Sequence, residues 1–273
     1  MSRPRLIATD LDGTFLSPRG GVSATNAAAL ARCAEEGIPV VVVTGRPFRW
    51  LDPVRGLRGL HPWVIVSNGA GVYDRDAQVL RRASGIDVAT ARAVVAELRD
   101  AVPGISFGVE TEHGFGCEPH TPSDARGLPE TEQRPIGELL RERAAPLKLL
   151  AFHGGLDAGR LSDRVTPVVA GRLTVTHSTW AGLPGMVEIS GPGVDKGSAL
   201  AALCAAWGIA ASEVAAFGDM PNDASMLAWA GHPRVVANAH PELLAREYPV
   251  VAANESSGVG LGILRLLDEP VSG

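Results

Sequence analysis

The sequence is poor in cysteine, in long apolar runs and in positive charge. Its 273 residues include three cysteines, and this odd number of widely spaced residues favours a reducing compartment over a disulfide framework. No apolar stretch is long enough to span a bilayer, and acidic residues interrupt the first apolar run too early for a signal peptide. We therefore expect a soluble, cytoplasmic protein without a membrane partner.

The chain also lacks the features of nucleic-acid-binding proteins and of common nucleotide-binding loops. Its formal net charge is −5 at pH 7, and no dense stripe of lysine and arginine provides a local exception. Neither a G-x-x-x-x-G-K-[ST] loop nor a complete G-x-G-x-x-G fingerprint is present. The sequence therefore disfavours a nucleic-acid partner, a nucleotide kinase and a dinucleotide-binding enzyme.

Apolar runs alternate with helical patterns near both ends of the chain. The runs "RLIAT", "IPVVVVT", "WVIVSNG", "EVAAFGD" and "PRVVAN" lack polar alternation, as is typical of strands buried on both faces of a parallel sheet. After the first run, Ser23 predicts the start of a helix and Gly37 its end. We predict an α/β fold with a Rossmann-like parallel-sheet core, built from residues 1–82 and 188–273.

The middle of the chain, residues 83–187, has a different pattern. Two helical candidates, "VATARAVVAELRDAV" and "PIGELLRERAA", lie among more polar, alternating strand patterns, which predicts an α+β insert whose sheet has one exposed face. The segment "GISFG" fits the G-x-S-x-G pattern of serine hydrolases. Its Ser106 lies within a strand pattern and is not followed by a helix, so we interpret this match as chance.

Two acids follow the first predicted strand in "LIATDLDGTFLS". In an extended segment Asp10 and Asp12 point the same way, at the sheet edge where open α/β sheets bind ligands. Gly13 permits a sharp turn, and Thr14 can hydrogen-bond within it. Adjacent carboxylates repel each other, so the pair predicts either Mg²⁺ or a shared proton, unless it is a solvated strand end.

A second candidate site lies in "VVVVTGRP". Thr44, Gly45 and Arg46 follow a predicted strand, where a hydroxyl, a backbone amide and a guanidinium could meet a phosphate at the same sheet edge. Thr and Gly are also common in turns for purely structural reasons. Lys196, one of the two lysines in a chain of 25 basic residues, begins a predicted helix, where free amides favour an anion.

The segment "VAAFGDMPNDASML" provides a third group of acids. Asp219 ends another predicted strand, and a further carboxylate there would complete an oxygen-rich site for Mg²⁺. Pro221 and Asn222 turn the chain, and Asp223 begins a helix. Because an acid at this position stabilises the helix dipole, Asp223 is either a site residue or only a helix cap.

These segments, "DLDGT", "TGR", Lys196 and "GDMPND", resemble in their order the motifs of the haloacid dehalogenase superfamily. The position of the insert, "SNGAGVYD" and "VVANAHPELLAREYPVVAANESSGVG" are similar to the Cof-type, subclass IIB phosphatases within it. The resemblance covers about two thirds of the chain. It implies that residues 83–187 form a cap of type C2B, which closes over the active site and selects substrates.

The resemblance also implies roles for individual residues in a Mg²⁺-dependent phosphoryl transfer. Asp10 would be the nucleophile that forms an aspartyl phosphate, and Asp12 the general acid and base. The metal would be held by Asp10, Asp219 and the backbone carbonyl of Asp12, with Asp223 anchoring its water shell. The transferring oxygens would be bound by Thr44, Gly45, Lys196 and Asn222, with Arg46 near substrate or cap.

The expected partner is a small phosphorylated metabolite, with a sugar phosphate as the first choice. Within the insert, Glu112, His113 and Trp180 are candidate contacts to it. Three other functions stay open at this point: a phosphomutase that uses the same intermediate, a receiver domain that keeps its aspartyl phosphate, and a binding protein without activity. The sequence does not determine the oligomeric state.

Overall fold

The computed structural model describes residues 3–121, 131–142, 145–178 and 185–268. Its strands are β1 (Leu6–Thr9), β2 (Val40–Val42), β3 (Trp63–Val66), β4 (Gly71–Asp74), β5 (Val79–Ala83), β6 (Ser106–Thr111), β7 (Gly114–Cys117), β8 (Glu132–Gln133), β9 (Lys148–His153), β10 (Thr174–Thr176), β11 (Gly185–Ser190), β12 (Val214–Gly218), β13 (His232–Val236) and β14 (Val250–Val251). Its helices are α1 (Ala24–Glu35), α2 (Val88–Ala101), α3 (Ile136–Glu142), α4 (Ala158–Val169), α5 (Lys196–Ala206), α6 (Ala224–Trp229), α7 (Pro241–Leu244) and α8 (Gly258–Asp268).

The chain separates into two compact units. Residues 1–81 and 196–273 form one unit, the core, and residues 82–195 form the other, the insert. The second boundary differs from the predicted one, which lay between residues 187 and 188. The reason is that β11 pairs with β9 along its whole length, so Glu188, Ile189 and Ser190 belong to the sheet of the insert.

The core contains a five-stranded sheet in the order β14-β13-β12-β1-β2, and every pair of neighbours is parallel. The residues of β1, β2 and β12 are all buried, as expected for strands covered on both faces. The predicted α/β class with a parallel-sheet core is therefore confirmed. A smaller sheet, β3-β4-β5, joins this unit through a parallel bridge between Val43 and Ile65.

The first helix of the core begins and ends as the sequence predicts. The Ser23 side chain accepts a hydrogen bond from the Asn26 amide at 3.1 Å, which satisfies one of the free N–H groups of the first turn. Gly37 follows the helix with a φ of +67°, a conformation that glycine adopts without strain. Ser23 therefore caps the start of α1, and Gly37 ends it, as the sequence predicts.

The insert is built on a six-stranded sheet in the order β10-β11-β9-β6-β7-β8. Neighbours are antiparallel except for β7 and β8. Apolar side chains from alternate positions of β6, β9 and β11 share one hydrophobic cluster with side chains of α2, α3 and α4. Ser106 begins β6 and is followed by more strand, so it does not form the strand-to-helix elbow of a serine hydrolase.

Helix α4 is absent from the sequence prediction, which had two helices in the insert. Gly159 near its start and Pro167 near its end conceal the helical pattern. Asp157 nevertheless caps it by accepting a hydrogen bond from the Arg160 amide at 2.8 Å. None of the helices within the described ranges combines the length and the apolar character required to cross a membrane.

Candidate active site

The carboxyl ends of β1 and β12 bring two acids together at one edge of the core sheet. Thr9 is in register with Phe217, and the Asp10 amide continues the pairing by donating to the Phe217 carbonyl at 3.0 Å. Asp10 and Asp219 are therefore positioned directly after neighbouring parallel strands. Both are buried, with 5% and 2% of their surface exposed.

The turn after β1 fits closely around Asp219. Gly13 has a φ of +75°, and a Cβ atom there would lie 2.3 Å from Asp219 Oδ2. The Thr14 hydroxyl donates to Asp219 Oδ1 at 2.5 Å, instead of bonding within its own turn as the sequence suggested. Asn238, for which no role was predicted, donates to the Gly13 carbonyl at 2.8 Å. The close approach to Asp219 allows only glycine at position 13, and the hydrogen bond from Thr14 orients the Asp219 carboxylate.

The Asp12 side chain has different surroundings from that of Asp10. Strand β1 ends at Thr9, and residues 11–15 form a kinked turn in which the dihedrals of Asp12 (φ −76°, ψ 126°) and Gly13 (φ 75°, ψ −11°) are not helical. Its side chain is 56% exposed. Arg46 holds both carboxylate oxygens, with Nε to Oδ2 and Nη2 to Oδ1 each at 2.6 Å. The Asp12 carboxylate is therefore paired with Arg46, and the Mg²⁺ that the acid pair predicts stays a prediction.

Lys196 lies between two acids that are remote in sequence. It is the first residue of α5 and is fully buried, and its Nζ donates to Asp10 Oδ1 at 2.7 Å and to Asp223 Oδ1 at 2.6 Å. Burial alone would lower the pKa of this ammonium, but the two carboxylates raise it above its usual value. Lys196 is therefore a fixed positive charge against the candidate nucleophile.

Asp223 closes the turn that precedes its helix. Its Oδ2 accepts hydrogen bonds from the Asp219 and Met220 amides, both at 3.0 Å. Its side chain makes no capping hydrogen bond to α6. Asp223 therefore caps the short turn that leads into α6 and, through Oδ1, also holds Lys196, so it is more than a helix cap.

Three carboxylates form a cluster that fits a divalent cation. Asp10, Asp219 and Asp223 each offer one oxygen, and these oxygens all lie within 4.8 Å of one another. Burial, with the neighbouring acids, raises the pKa of Asp10 to about 7 and of Asp219 to about 8, although Lys196 opposes both shifts. Unbalanced negative charge on hard oxygen ligands is what Mg²⁺ relieves. The Asp12 carboxylate is outside this cluster.

The Thr44–Arg46 loop, which follows β2, lies beside Asn222. Thr44 is buried, and its Oγ1 accepts from the Arg46 amide at 3.1 Å. A Cβ atom on Gly45 would lie 3.5 Å from Asn222 Nδ2. Pro221 begins the short 3-10 turn that contains Asn222, so the proline fits the turn and does not displace it. Asn68, to which the sequence analysis assigned no role, joins this group, because its Oδ1 accepts from Asn222 Nδ2 at 3.1 Å.

Of the insert residues suggested as substrate contacts, the structure describes Glu112 and His113, and their contact with a substrate stays a prediction. Glu112 and His113 lie in the turn between β6 and β7. Both are exposed, and His113 Nε2 lies 3.4 Å from Glu112 Oε1. His153, a further histidine of the insert, accepts from the Gly155 amide through Nδ1, and its Nε2 lies 3.1 Å from the Pro103 carbonyl. Trp180 lies outside the described residues.

Comparison with known proteins agrees with these features. Residues 7–263 match the family model described as haloacid dehalogenase-like hydrolase. A pyridoxal phosphate phosphatase of Escherichia coli is 30% identical over 86% of this chain and 88% of its own. An HMP-PP phosphatase of Serratia proteamaculans is 31% identical, over 87% of this chain and 85% of its own.

A solved structure extends this likeness to the whole fold. A haloacid dehalogenase-like hydrolase from B. subtilis superposes with a TM-score of 0.81 and 26% identity, over 96% of this chain and 99% of that one. The enzyme class predicted from the sequence, a phosphoric monoester hydrolase, is confirmed together with the resemblance. This chain belongs to the haloacid dehalogenase-like hydrolases.

Proposed function

We propose that this protein is a Mg²⁺-dependent phosphomonoester hydrolase that acts on a small metabolite through an aspartyl phosphate. The observation that supports the proposal is the environment of the Asp10 carboxylate. It is buried at the sheet edge, it is held by the Lys196 ammonium at 2.7 Å, and one of its oxygens lies within 4.8 Å of oxygens of two further acids.

In the first step, an oxygen of Asp10 attacks the phosphorus of the substrate and the bond from phosphorus to the leaving oxygen breaks. Asp12 donates a proton to that leaving alkoxide. In the second step, Asp12 accepts a proton from water, the water oxygen attacks the phosphorus, and phosphate leaves as the Asp10 carboxylate is restored. The covalent route divides one difficult displacement into two easier ones.

The bidentate ion pair with Arg46 orients the carboxylate of Asp12. Two hydrogen bonds of 2.6 Å fix the plane of the carboxylate, and a third, from Arg46 Nη1 to the Trp50 carbonyl at 2.8 Å, anchors the guanidinium. Asp12 is partly exposed, so it can exchange protons with water after each turnover. A direct contact between Arg46 and substrate stays a prediction.

The remaining site residues would bind the phosphate oxygens and the metal ion. Thr44, Gly45, Lys196 and Asn222 would hold the transferring oxygens. Mg²⁺ would be held by Asp10, Asp219 and the backbone carbonyl of Asp12, with Asp223 anchoring its water shell. When bound, it screens the repulsion between a carboxylate and a phosphate dianion and neutralises charge in the transition state.

The substrate is proposed as a class. Relatives named for pyridoxal phosphate and for HMP-PP support a small phosphorylated metabolite, and a sugar phosphate is the further candidate from the sequence. We propose that the insert is the C2B cap and that its residues contribute to the choice among these compounds. A phosphatase screen over all three compound types, with Mg²⁺ or with a chelator, identifies the preferred substrate.

Replacement of Asp10 by asparagine tests the proposed nucleophile. The asparagine side chain has nearly the same shape but cannot form the acyl phosphate, so we expect a loss of kcat of at least about 10³-fold. Acid-quenched wild-type enzyme should carry hydroxylamine-sensitive phosphate, and the Asp10→Asn variant should carry none. The matched control is Asp76→Asn, at a side chain that is 73% exposed in the same unit. Turnover by Asp10→Asn at the rate of this control would refute the mechanism.

A further inference from the structure

The short turn Ser67–Gly69, here called the SNG turn, follows β3 and has no role in the mechanism described so far. Ser67 and Asn68 have φ values of 51° and 55°, in the left-handed region that residues other than glycine rarely adopt. Both side chains are buried, with 0% and 1% of their surface exposed. Two consecutive residues in this conformation persist only where surrounding contacts hold them, which is common at functional sites.

Backbone hydrogen bonds join the SNG turn to the Thr44–Arg46 loop. The Ser67 amide donates to the Arg46 carbonyl at 2.9 Å, and the Asn68 amide donates to the Thr44 carbonyl at 3.0 Å. Between these two bonds, a Cβ atom on Gly45 would lie 3.0 Å from Asn68 Oδ1. The loop that offers Thr44 and Gly45 to the phosphate therefore rests directly on the Asn68 side chain.

Asn68 also fixes the direction of the Asn222 amide group. Asn222 Nδ2 donates to Asn68 Oδ1 at 3.1 Å, whereas the buried Asn222 Oδ1 has no hydrogen-bond partner among the residues that the structure describes. A buried acceptor without a partner costs free energy, and a rotation of the amide would place two oxygens against each other. The contact with Asn68 prevents that rotation and keeps the second N–H of Asn222 Nδ2 available for an oxyanion.

We propose that Asn68 is a positioning residue for phosphoryl transfer, which acts through Asn222 and the Thr44–Arg46 loop without touching the substrate. The inference rests on the proposed function, because it assigns the phosphate oxygens to Thr44, Gly45 and Asn222. Donors held at fixed positions stabilise charge that develops in the transition state more than charge in the ground state. Loss of Asn68 therefore lowers kcat and leaves KM nearly unchanged.

Asn68→Gly is the informative variant, because glycine keeps the positive φ without strain while the whole side chain, with its amide group, is removed. We expect kcat to fall about 10-fold, with KM and Tm close to the wild-type values. Gln78→Gly is the matched control, since Gln78 is exposed and has a φ of 55° in a turn of the same unit. This control should keep full activity.

A double-mutant cycle with Asn222→Ala tests whether Asn68 acts through Asn222. We expect Asn68→Gly to lower kcat much less in the Asn222→Ala background than in the wild type. Multiplicative losses would overturn the inference, as would an Asn68→Gly enzyme with wild-type kcat. A drop in Tm that accounts for the lost activity, with kcat restored on cooling, would assign a merely structural role and overturn it as well.

The same data separate this inference from the proposed function. Full activity in Asn68→Gly, with an inactive Asp10→Asn variant, refutes the role of Asn68 and leaves the hydrolase mechanism in place. A wild-type protein that releases no phosphate from any compound of the screen refutes the mechanism itself.

Discussion

At the scale of single residues, the site depends on how each acid is paired. The Asp10 carboxylate faces a lysine that is completely buried, and the Asp12 carboxylate faces an arginine that is 24% exposed. A buried ammonium remains as a fixed charge, whereas a partly exposed ion pair is weakened by water and can open. A fixed charge beside Asp10 suits the proposed nucleophile, which stays in place. An ion pair that can open suits Asp12, the proposed acid and base, which exchanges protons.

Arg46→Lys tests the orientation of Asp12. An ammonium cannot reproduce two parallel hydrogen bonds to a carboxylate, so we expect kcat to fall at least about 10-fold. Arg55→Lys is the control, because Arg55 pairs with Asp52 in the same unit and both side chains are mostly exposed. Steady-state kinetics of the two variants provide the measurement. Equal kcat values would show that the bidentate contact does not position Asp12.

The raised pKa values of Asp10, about 7, and Asp219, about 8, predict how metal binding depends on pH. Both carboxyl groups hold protons more tightly in the metal-free folded protein than in the unfolded chain. Their contribution to stability is therefore present below the ordinary value of 3.8 and is lost as the pH rises through 7 to 8. Mg²⁺ must displace these protons, so its affinity increases over the same range.

The measurement is the rise in Tm on addition of Mg²⁺. We expect a larger rise at about pH 8.5 than at about pH 6, since only the ionised cluster binds the cation strongly. Asp219→Asn should remove most of the effect at the higher pH. A rise that is equal at both pH values would contradict the assignment of these carboxylates as ligands.

At the scale of elements, a buried ion pair joins two neighbouring strands of the insert sheet. Lys148 on β9 and Glu188 on β11 are hydrogen-bonded, with 4% and 3% of their surfaces exposed. Alternation places them on the face opposite to the apolar residues Leu149 and Ile189, which share the hydrophobic cluster with the helices. A buried charge is tolerated only while its partner is present.

Glu188→Ala should therefore lower the free energy of unfolding by about 3–5 kcal/mol, because it leaves the Lys148 ammonium without this partner. The double variant Lys148→Met, Glu188→Leu should lose much less, since two apolar side chains replace the pair. Urea denaturation followed by circular dichroism measures both. Equal losses in the two proteins would show that the two charges are not coupled.

At the scale of the whole molecule, the proposed metal ligands and the proposed phosphate ligands all belong to the core unit. They come from four separate segments of the sequence, around residues 10, 44, 196 and 222, on either side of the insert. The core therefore assembles its site from both ends of the chain. Ligands that bind there should stabilise this unit first.

Hydrogen exchange measured with and without Mg²⁺ tests this expectation. We expect slower exchange for the Asp219 and Met220 amides, which donate to Asp223, when the cation is bound. Amides of β6 and β9 in the insert should exchange at unchanged rates and serve as the internal reference. Protection in the insert alone would contradict a metal site in the core.

Sequence patterns alone predicted the elements that depend on local physics. A strand buried on both faces shows no alternation of polar and apolar residues, and this pattern predicted β1, β2 and β12 at their observed places. The helix cap was also predictable, because Ser23 bonds to an amide only three residues away. The motif segments also led to the correct family. Helix α4 was missed because Gly159 and Pro167 weaken its local signal, although apolar residues of α4 lie in the hydrophobic cluster of the insert.

Only the tertiary structure decided which side chains face each other. Asp12 pairs with Arg46 across 34 positions, and Lys196 reaches Asp10 across 186. Asn68, remote from every motif of the mechanism, contacts Asn222 across 154. Such contacts depend on how separate strands and turns are packed at one sheet edge, and no local period or spacing encodes them. The sequence by itself therefore determined the elements and the chemical groups, and packing determined their partners.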